Sequence, residues 1–264
     1  MCDTAIAKKA DLLVDAIRGY GSCAIAFSGG VDSAVVAKAA HLALGERAVA
    51  VTGVSSSLAA GELEAARALA AEIGICHREI ATDEFANSAY TANAADRCFH
   101  CKTELYSQLV RRLEELGVGV IASGTNAEDL GDYRPGLEAA RQYSVCHPLA
   151  ECGFSKAEVR ELAALWQLPV ADKPAAPCLS SRLAYGVEVT PERLTMVDRA
   201  EKLLRDMGLP EVRVRCHAGD LARIEVPAEA IQRLADPATR FQLTRQFREL
   251  GFKYVTLDLE GFRS

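Results

Sequence analysis

Two groups of residues in this chain have types and spacings suited to chemistry. The first is Ser28-Gly29-Gly30-Val31-Asp32-Ser33. Adjacent glycines let the backbone turn sharply and approach a ligand with no Cβ in the way. A helix opening at Val31 would aim its unbonded amides and positive dipole end at an anion such as a nucleotide pyrophosphate. Ser28 and Ser33 add hydroxyl donors. Asp32 is itself an anion and is suited instead to orienting the loop or helping to hold Mg²⁺. A Walker-type loop needs a longer glycine stretch ending in Lys-Ser/Thr, and the segment has none. The plain alternative is a glycine-rich turn.

The second group is a set of thiols. Cys98-Phe-His-Cys101 has metal-ligand spacing. Zinc would need two further ligands, for which Cys146, His147 or His100 can be nominated, but no second spaced pair completes a ribbon. Cys178 lies in a proline-rich stretch beside Ser180-Ser181-Arg182, where Arg182 offers a neighbouring cation. Three thiolates suit a [4Fe–4S] cluster with one iron open, since soft sulfur selects iron–sulfur centres. An inert buried thiol is the alternative for Cys178, and its polar, proline-rich surroundings argue against that. Cys23 and Cys76 fall in strand-like segments and are expected in the core.

These groups need a framework. Residues 3–19, 31–44, 59–73, 99–116, 155–167 and 192–207 have helical character, and a further helical stretch precedes the last strand. Cys23 to Phe27, Ala48 to Thr52 and Gly119 to Ser123 are short apolar runs, as in strands buried on both faces. Cys76 to Ala81 is a further strand candidate. The alternation predicts an α/β fold with a parallel sheet, which places the glycine loop and Gly124-Thr125-Asn126 after strands, where such sheets bind ligands. Pro169, Pro174, Pro177 and Pro191 mark an ordered connector. Beyond it, Val212 to Cys216 and Leu221 to Val226 alternate around His217-Ala-Gly-Asp220 like a hairpin, and Tyr254 to Leu259 reads as a last strand. Residues 1–168 are expected to form a nucleotide domain, 169–189 a connector carrying Cys178, and 190–264 a small α+β domain. Arg213 and Arg215, two apart on a strand, share a face and could grip a phosphate monoester, or simply face solvent.

Composition bounds the partners. The chain has 264 residues, half of them hydrophobic, and a formal net charge of −6. That balance argues against nucleic acid or an anionic membrane as general partners. No apolar run is long enough to span a bilayer, and Met1 to Lys9 lacks a basic segment leading into an apolar one. A cytoplasmic location is the expectation, where nine cysteines serve better as thiols or ligands than as disulfides.

The glycine loop resembles the Ser-Gly-Gly-x-Asp-Ser signature of N-type (PP-loop) ATP pyrophosphatases. In that superfamily the loop holds the β- and γ-phosphates while a substrate oxygen attacks the α-phosphorus, leaving AMP on the substrate and pyrophosphate free. Further motifs narrow the resemblance: Asp96-Arg-Cys98-Phe-His-Cys101-Lys102, Ser123-Gly-Thr-Asn126, Asp132-Tyr-Arg-Pro-Gly136, Pro177-Cys178-Leu-Ser-Ser181-Arg182, Arg213-Val-Arg215, Gly219-Asp220-Leu-Ala-Arg223-Ile-Glu225 and Leu257-Asp258-Leu-Glu-Gly261-Phe-Arg263. Spread over nearly the whole chain, they resemble the LarE family of ATP-dependent sulfur transferases.

The resemblance implies a substrate, pyridinium-3,5-biscarboxylate mononucleotide, whose carboxylate is adenylated and then becomes a thiocarboxylate of the nickel-pincer nucleotide of lactate racemase. It implies ATP and Mg²⁺ at Ser28, Gly29, Gly30, Val31, Asp32 and Ser33, adenosine contact at Gly124, Thr125 and Asn126, and a homo-oligomer. Catalytic work is expected of Cys178, Asp32, Ser181 and Arg182, and phosphate binding of Arg213 and Arg215. Glu201, Asp220, Arg223, Glu225, Asp258 and Arg263 are further substrate-site candidates. Some family members sacrifice one cysteine as sulfur donor. Others carry three and are thought to relay sulfide on a [4Fe–4S] cluster, the type that Cys98, Cys101 and Cys178 fit. A PP-loop tRNA thiolase and a metal-containing nucleotide sensor are the competing readings.

Overall fold

The structure, a computed structural model, describes residues 2–131, 135–174 and 177–263. Asp132, Tyr133 and Arg134 of the quoted motifs lie outside the described residues. The elements run α1 (Cys2–Arg18), β1 (Cys23–Ala26), α2 (Val31–Leu44), β2 (Ala48–Val54), α3 (Glu62–Ile73), β3 (Cys76–Ala81), α4 (Ser88–Thr91), α5 (Arg97–Val110), α6 (Leu113–Leu116), β4 (Val120–Ala122), α7 (Pro135–Gln142), α8 (Pro148–Glu151), α9 (Lys156–Leu165), α10 (Pro191–Asp206), β5 (Arg213–His217), β6 (Leu221–Glu225), α11 (Ala228–Ala235), α12 (Pro237–Leu250) and β7 (Tyr254–Leu257). The chain divides into two compact units, Met1–Ser55 with Gly61–Glu84 and Cys98–Ala176, and Ser56–Ala60 with Phe85–Arg97 and Pro177–Ser264. No helix among the described residues is long and apolar enough to cross a membrane.

The first unit is an α/β layer structure. Its sheet has the order β3-β2-β1-β4 with every pair parallel. Side chains alternate across the sheet, so β1 sends Cys23 and Ile25 into one core and Ala24 into the other. The alanine content of α2 has a purpose in packing. Ala34, Ala37, Ala39 and Ala40 are all buried, so small side chains let this helix lie close to its neighbours. A capping box, Ser155 with Glu158, starts α9 and satisfies two amides that the helix cannot.

Sequence and structure part company at three places. The helix expected from Ala59 starts at Glu62, because Gly61 before it is left-handed at φ 83°. The helix expected over 99–116 breaks after Val110, where Arg112 at φ −111° and ψ 4° leaves helical geometry. Cys76 is exposed, which overturns its expected place in the core. It lies on β3, one of the two edge strands, which buries only Ile80. Cys23, on central β1, is fully buried as expected, and burial pushes its thiol up to about 12.

The second unit carries a three-stranded sheet, β5-β6-β7, with β5 and β6 antiparallel and β6 and β7 parallel. The β5–β6 hairpin turns where it was expected, with Asp220 at φ 55°. Val214, Cys216, Ala222 and Ile224 form the buried face, and α10 contributes buried Leu194, Val197, Ala200 and Leu204. The opposite face carries Arg213, Arg215 and His217 from β5, with Arg215 paired to Arg223 and Arg213 to Glu225 across the hairpin.

Candidate active site

The phosphate loop is built as its residue types require. β1 ends at Ala26, Phe27 extends the ladder by donating to the Val51 carbonyl at 2.8 Å, and α2 begins at Val31. Gly29 between them has φ 72°, a conformation in which a side chain is strained. Gly30 caps α2 in extended geometry and supplies no side-chain bond to the opening amides. Those amides keep their partial positive charge for an anion. The two serines bind the loop to itself. Ser33 Oγ donates to the Gly30 carbonyl at 3.0 Å and lies 3.2 Å from Ser28 Oγ, and the Gly30 amide donates to Ser28 Oγ at 3.3 Å.

Gly124 and Asn126, after β4, meet this loop. Asn126 Nδ2 donates to Asp32 Oδ1 at 3.1 Å. A Cβ on Gly124 would lie 2.7 Å from the Ser33 amide nitrogen and 2.8 Å from the Asp32 carbonyl carbon, so glycine is what lets β4 and α2 approach. Asp32 has its carboxyl pushed up, mainly by burial, with Asn126 opposing and Asp129 adding to the rise. Hard carboxylate oxygens beside an anion-binding helix start fit Mg²⁺, and Asp32 and Asp129 are the residues that would supply them.

Two polar pairs at this end of the sheet escaped sequence reasoning. Thr52 Oγ1 donates to the Phe27 carbonyl at 2.8 Å and lies 2.8 Å from His77 Nε2. Ser123 Oγ lies 2.8 Å from His147 Nδ1 and 3.1 Å from Thr125 Oγ1. Burial pushes both histidines below their ordinary pKa, so both favour the neutral ring. Their signal was available: Thr52 and Ser123 are the polar residues that close the apolar runs of β2 and β4.

In the second unit the expected arginines gather around buried carboxylates. Glu225, 3% exposed, accepts from Arg215 Nε and from Arg223 at 2.8 Å, and lies 3.5 Å from Arg213. Burial raises the Glu225 carboxyl, yet its bonds to Arg215 and Arg223 prevail and hold it below the ordinary range. Glu201, 1% exposed, accepts from Arg182 at 2.9 Å, Arg205 at 2.7 Å and the Val214 amide at 3.2 Å. Asp258 lies 3.5 Å from Arg223 and 3.7 Å from Arg263, while Arg213 stacks over Phe262. Arg263 also pairs with Glu260. Setting it aside, Arg182, Arg205, Arg213, Arg215 and Arg223 share Glu201, Glu225 and Asp258, an excess of positive charge that suits an anion. Burial, then Arg215 and Arg182, push the Arg213 guanidinium down. Asp220 has other partners, Lys253 at 3.0 Å and Arg193 at 3.4 Å.

The thiols divide between the units. Cys98 and Cys101 are three apart on α5 in the first, Cys98 exposed and Cys101 half-buried. Cys178, exposed, is in the second, and its carbonyl accepts from Ser181 Oγ at 2.8 Å. Arg182 is turned to Glu201, to the Pro177 carbonyl at 2.7 Å and to Ser181 Oγ at 3.1 Å. Among the described residues no group of three His, Cys, Asp or Glu side chains is placed to hold a metal ion. The donor set itself, three thiols of which two lie one helical turn apart, has the chemistry of an iron–sulfur ligand set.

A family model described as NAD synthase matches residues 6–107, the stretch holding the phosphate loop. Over 240 residues the chain is 50% identical to an uncharacterized protein of Synechocystis sp., covering 91% of this chain and 89% of that one. Over 260 residues it is 36% identical to the pyridinium-3,5-bisthiocarboxylic acid mononucleotide synthase of Lactiplantibacillus plantarum, covering 98% and 93%. The tRNA-specific 2-thiouridylase MnmA of Rickettsia typhi is 29% identical over 188 residues, 57% of this chain and 52% of that one. A phosphate loop without a Walker lysine, an arginine-rich face and a match along almost the whole of both chains place this protein in the PP-loop ATP pyrophosphatases, as a member of the LarE family of sulfur-transferring synthases.

Proposed function

We propose that the protein adenylates a carboxylate of pyridinium-3,5-biscarboxylate mononucleotide and replaces the activated oxygen by sulfur, giving a thiocarboxylate of the nickel-pincer nucleotide. The observation that carries this is the 36% identity to a pyridinium-3,5-bisthiocarboxylic acid mononucleotide synthase along 98% of the chain. ATP lies with its β- and γ-phosphates against Gly29, Gly30 and the amides of Val31, Asp32 and Ser33, and Asp32 helps to hold Mg²⁺. The adenosine is held near Gly124, Thr125 and Asn126. A carboxylate oxygen attacks the α-phosphorus and pyrophosphate leaves with the broken bond's electrons. A sulfur nucleophile then attacks the acyl carbonyl and AMP departs, carrying the original oxygen. Arg213 and Arg215 take the substrate's phosphate monoester, and Glu225 holds both guanidiniums in place, while Glu201 holds Arg182 and Asp258 holds Arg223. Arg223 and Arg263 line the same face, and Asp220 fixes the turn beside it.

We assign Cys98, Cys101 and Cys178 as ligands of a [4Fe–4S] cluster. Such a cluster would supply an iron with a free position for an extra sulfide, sparing the polypeptide as donor. Ser181 and Arg182 fix the loop that carries Cys178. A reducing cytoplasm suits the thiols, and a homo-oligomer is proposed from the family alone. The match to tRNA thiouridylases stops at about half of each chain, and a net charge of −6 disfavours RNA as substrate. Incubation with Mg-ATP, the mononucleotide and sulfide, followed by mass spectrometry, tests the proposal. AMP and thiocarboxylate should form in equal amounts. ADP as product, or ATP consumption indifferent to the mononucleotide, would refute it.

A further inference from the structure

The second unit holds a buried polar clamp to which no role has yet been given. Asn93 is fully buried and left-handed at φ 56°. Its Nδ2 donates to the carbonyls of Ala184 and Val187, each at 2.8 Å, and its backbone carbonyl accepts from the Gly186 amide at 3.1 Å. Its Oδ1 accepts from Arg97 Nη1. Arg97, only 7% exposed, also donates to the Ser180 carbonyl at 2.8 Å. Tyr90 Oη lies 2.7 Å from Ser180 Oγ, the Val189 amide donates to the Thr91 carbonyl at 2.8 Å, and the Leu179 amide to the Ser57 carbonyl at 3.3 Å. Residues 90–97 thus grip the stretch 179–189 by its backbone.

That stretch carries Cys178 at its head. The thiol itself is exposed, so side-chain packing does not place it. Its position depends on the short helical turn Leu179–Arg182, which starts at Cys178. The clamp closes on that turn at the Ser180 carbonyl. Burying a guanidinium against amide oxygens is costly, and an apolar side chain of similar volume would fill the same space at lower cost. A backbone held in register is what the arrangement provides in return.

We propose that Arg97 and Asn93 are positioning residues for Cys178, required for sulfur transfer and not for activation by ATP. The inference rests on the reading of Cys178 as part of the sulfur route. Its test compares the full-length protein with Arg97→Gln, Arg97→Lys, Asn93→Ala and Cys178→Ala, each checked for folding by thermal melting. Pyrophosphate release in the first turnover, which reports activation, and thiocarboxylate formation are followed separately. Iodoacetamide labelling of Cys178 is measured in the metal-free, reduced protein, with exposed Cys76 as internal reference. In Arg97→Gln, pyrophosphate release in the first turnover should stay within about twofold of wild type while thiocarboxylate falls by about tenfold or more, the scale of a reacting group misplaced by less than an ångström. Cys178 labelling should change relative to Cys76. Where Arg97→Gln does not fold, Arg97→Lys, which keeps the charge but not the fork, is read the same way. Wild-type sulfur transfer and labelling in the folded clamp variants would overturn the positioning role. Full sulfur transfer in Cys178→Ala would instead refute the reading of Cys178 itself.

Discussion

Substituting Gly124 by alanine is the sharpest structural test of the nucleotide site. The added Cβ would lie 2.7 Å from the Ser33 nitrogen, 2.8 Å from the Asp32 carbonyl carbon and 3.1 Å from Asp32 Cβ. Ordinary van der Waals contact begins near 3.4 Å, so β4 and the start of α2 must separate by roughly 0.7 Å. Two of the three clashing atoms are backbone, and no rotamer change relieves them. Overpacking of this kind costs about 1–3 kcal/mol. If the displacement falls on the loop proposed to hold the ATP phosphates, ATP affinity should drop by roughly five- to 150-fold. Gly131→Ala is the control, because nothing among the described residues lies within 4 Å of its added Cβ. Calorimetric titration with Mg-ATP and urea unfolding should be run on both. Gly124→Ala with wild-type ATP affinity and stability would show that the contact between Gly124 and the loop start does not set the site.

Three further outcomes follow from the charges and thiols. Glu201→Gln leaves Arg182 without its buried counter-charge, so urea unfolding should show a loss of about 3 kcal/mol or more, against nearly none for an exposed pair such as Lys202 with Asp206. Glu225 has its carboxyl held below the ordinary range, so its contribution is present above that range and lost as pH falls toward its lowered value. The acid limb of stability against pH should therefore flatten in Glu225→Gln, and an unchanged limb would remove Glu225 from the account. Anaerobic reconstitution followed by iron analysis and Mössbauer spectroscopy should find a cluster in wild type and not in Cys98→Ala. Iron-free wild type, with activity unaltered in Cys98→Ala, would exclude the cluster.

Much of the first unit was legible because its signals are local. Apolar runs such as Cys23 to Phe27, separated by amphipathic helices, specify a parallel sheet, and a Gly-Gly turn after the first of them specifies the anion site. The hairpin around Asp220 was equally plain from alternation. What the sequence concealed is long-range. Nothing in residues 85–97 as a string says that Asn93 and Arg97 will hold the backbone at 180–187, 90 residues away. The arginine face was half-visible: spacing put Arg213 and Arg215 together, but the convergence of Glu201 from α10 with Arg182 depends on packing. Gly124 could be seen to follow a strand, yet its closeness to Ser33 depends on how the end of β4 packs beside the start of α2. Cys76 was misjudged because a strand's sequence does not announce whether it lies at the edge.

The central claim is that a carboxylate oxygen of the mononucleotide attacks the α-phosphorus of ATP before sulfur enters. Substrate labelled with oxygen-18 in its carboxylates tests this most directly. After turnover with Mg-ATP and sulfide, AMP should carry one labelled oxygen in its phosphate for each thiocarboxylate formed. Unlabelled AMP alongside thiocarboxylate, or label appearing in inorganic phosphate, would contradict activation by adenylation.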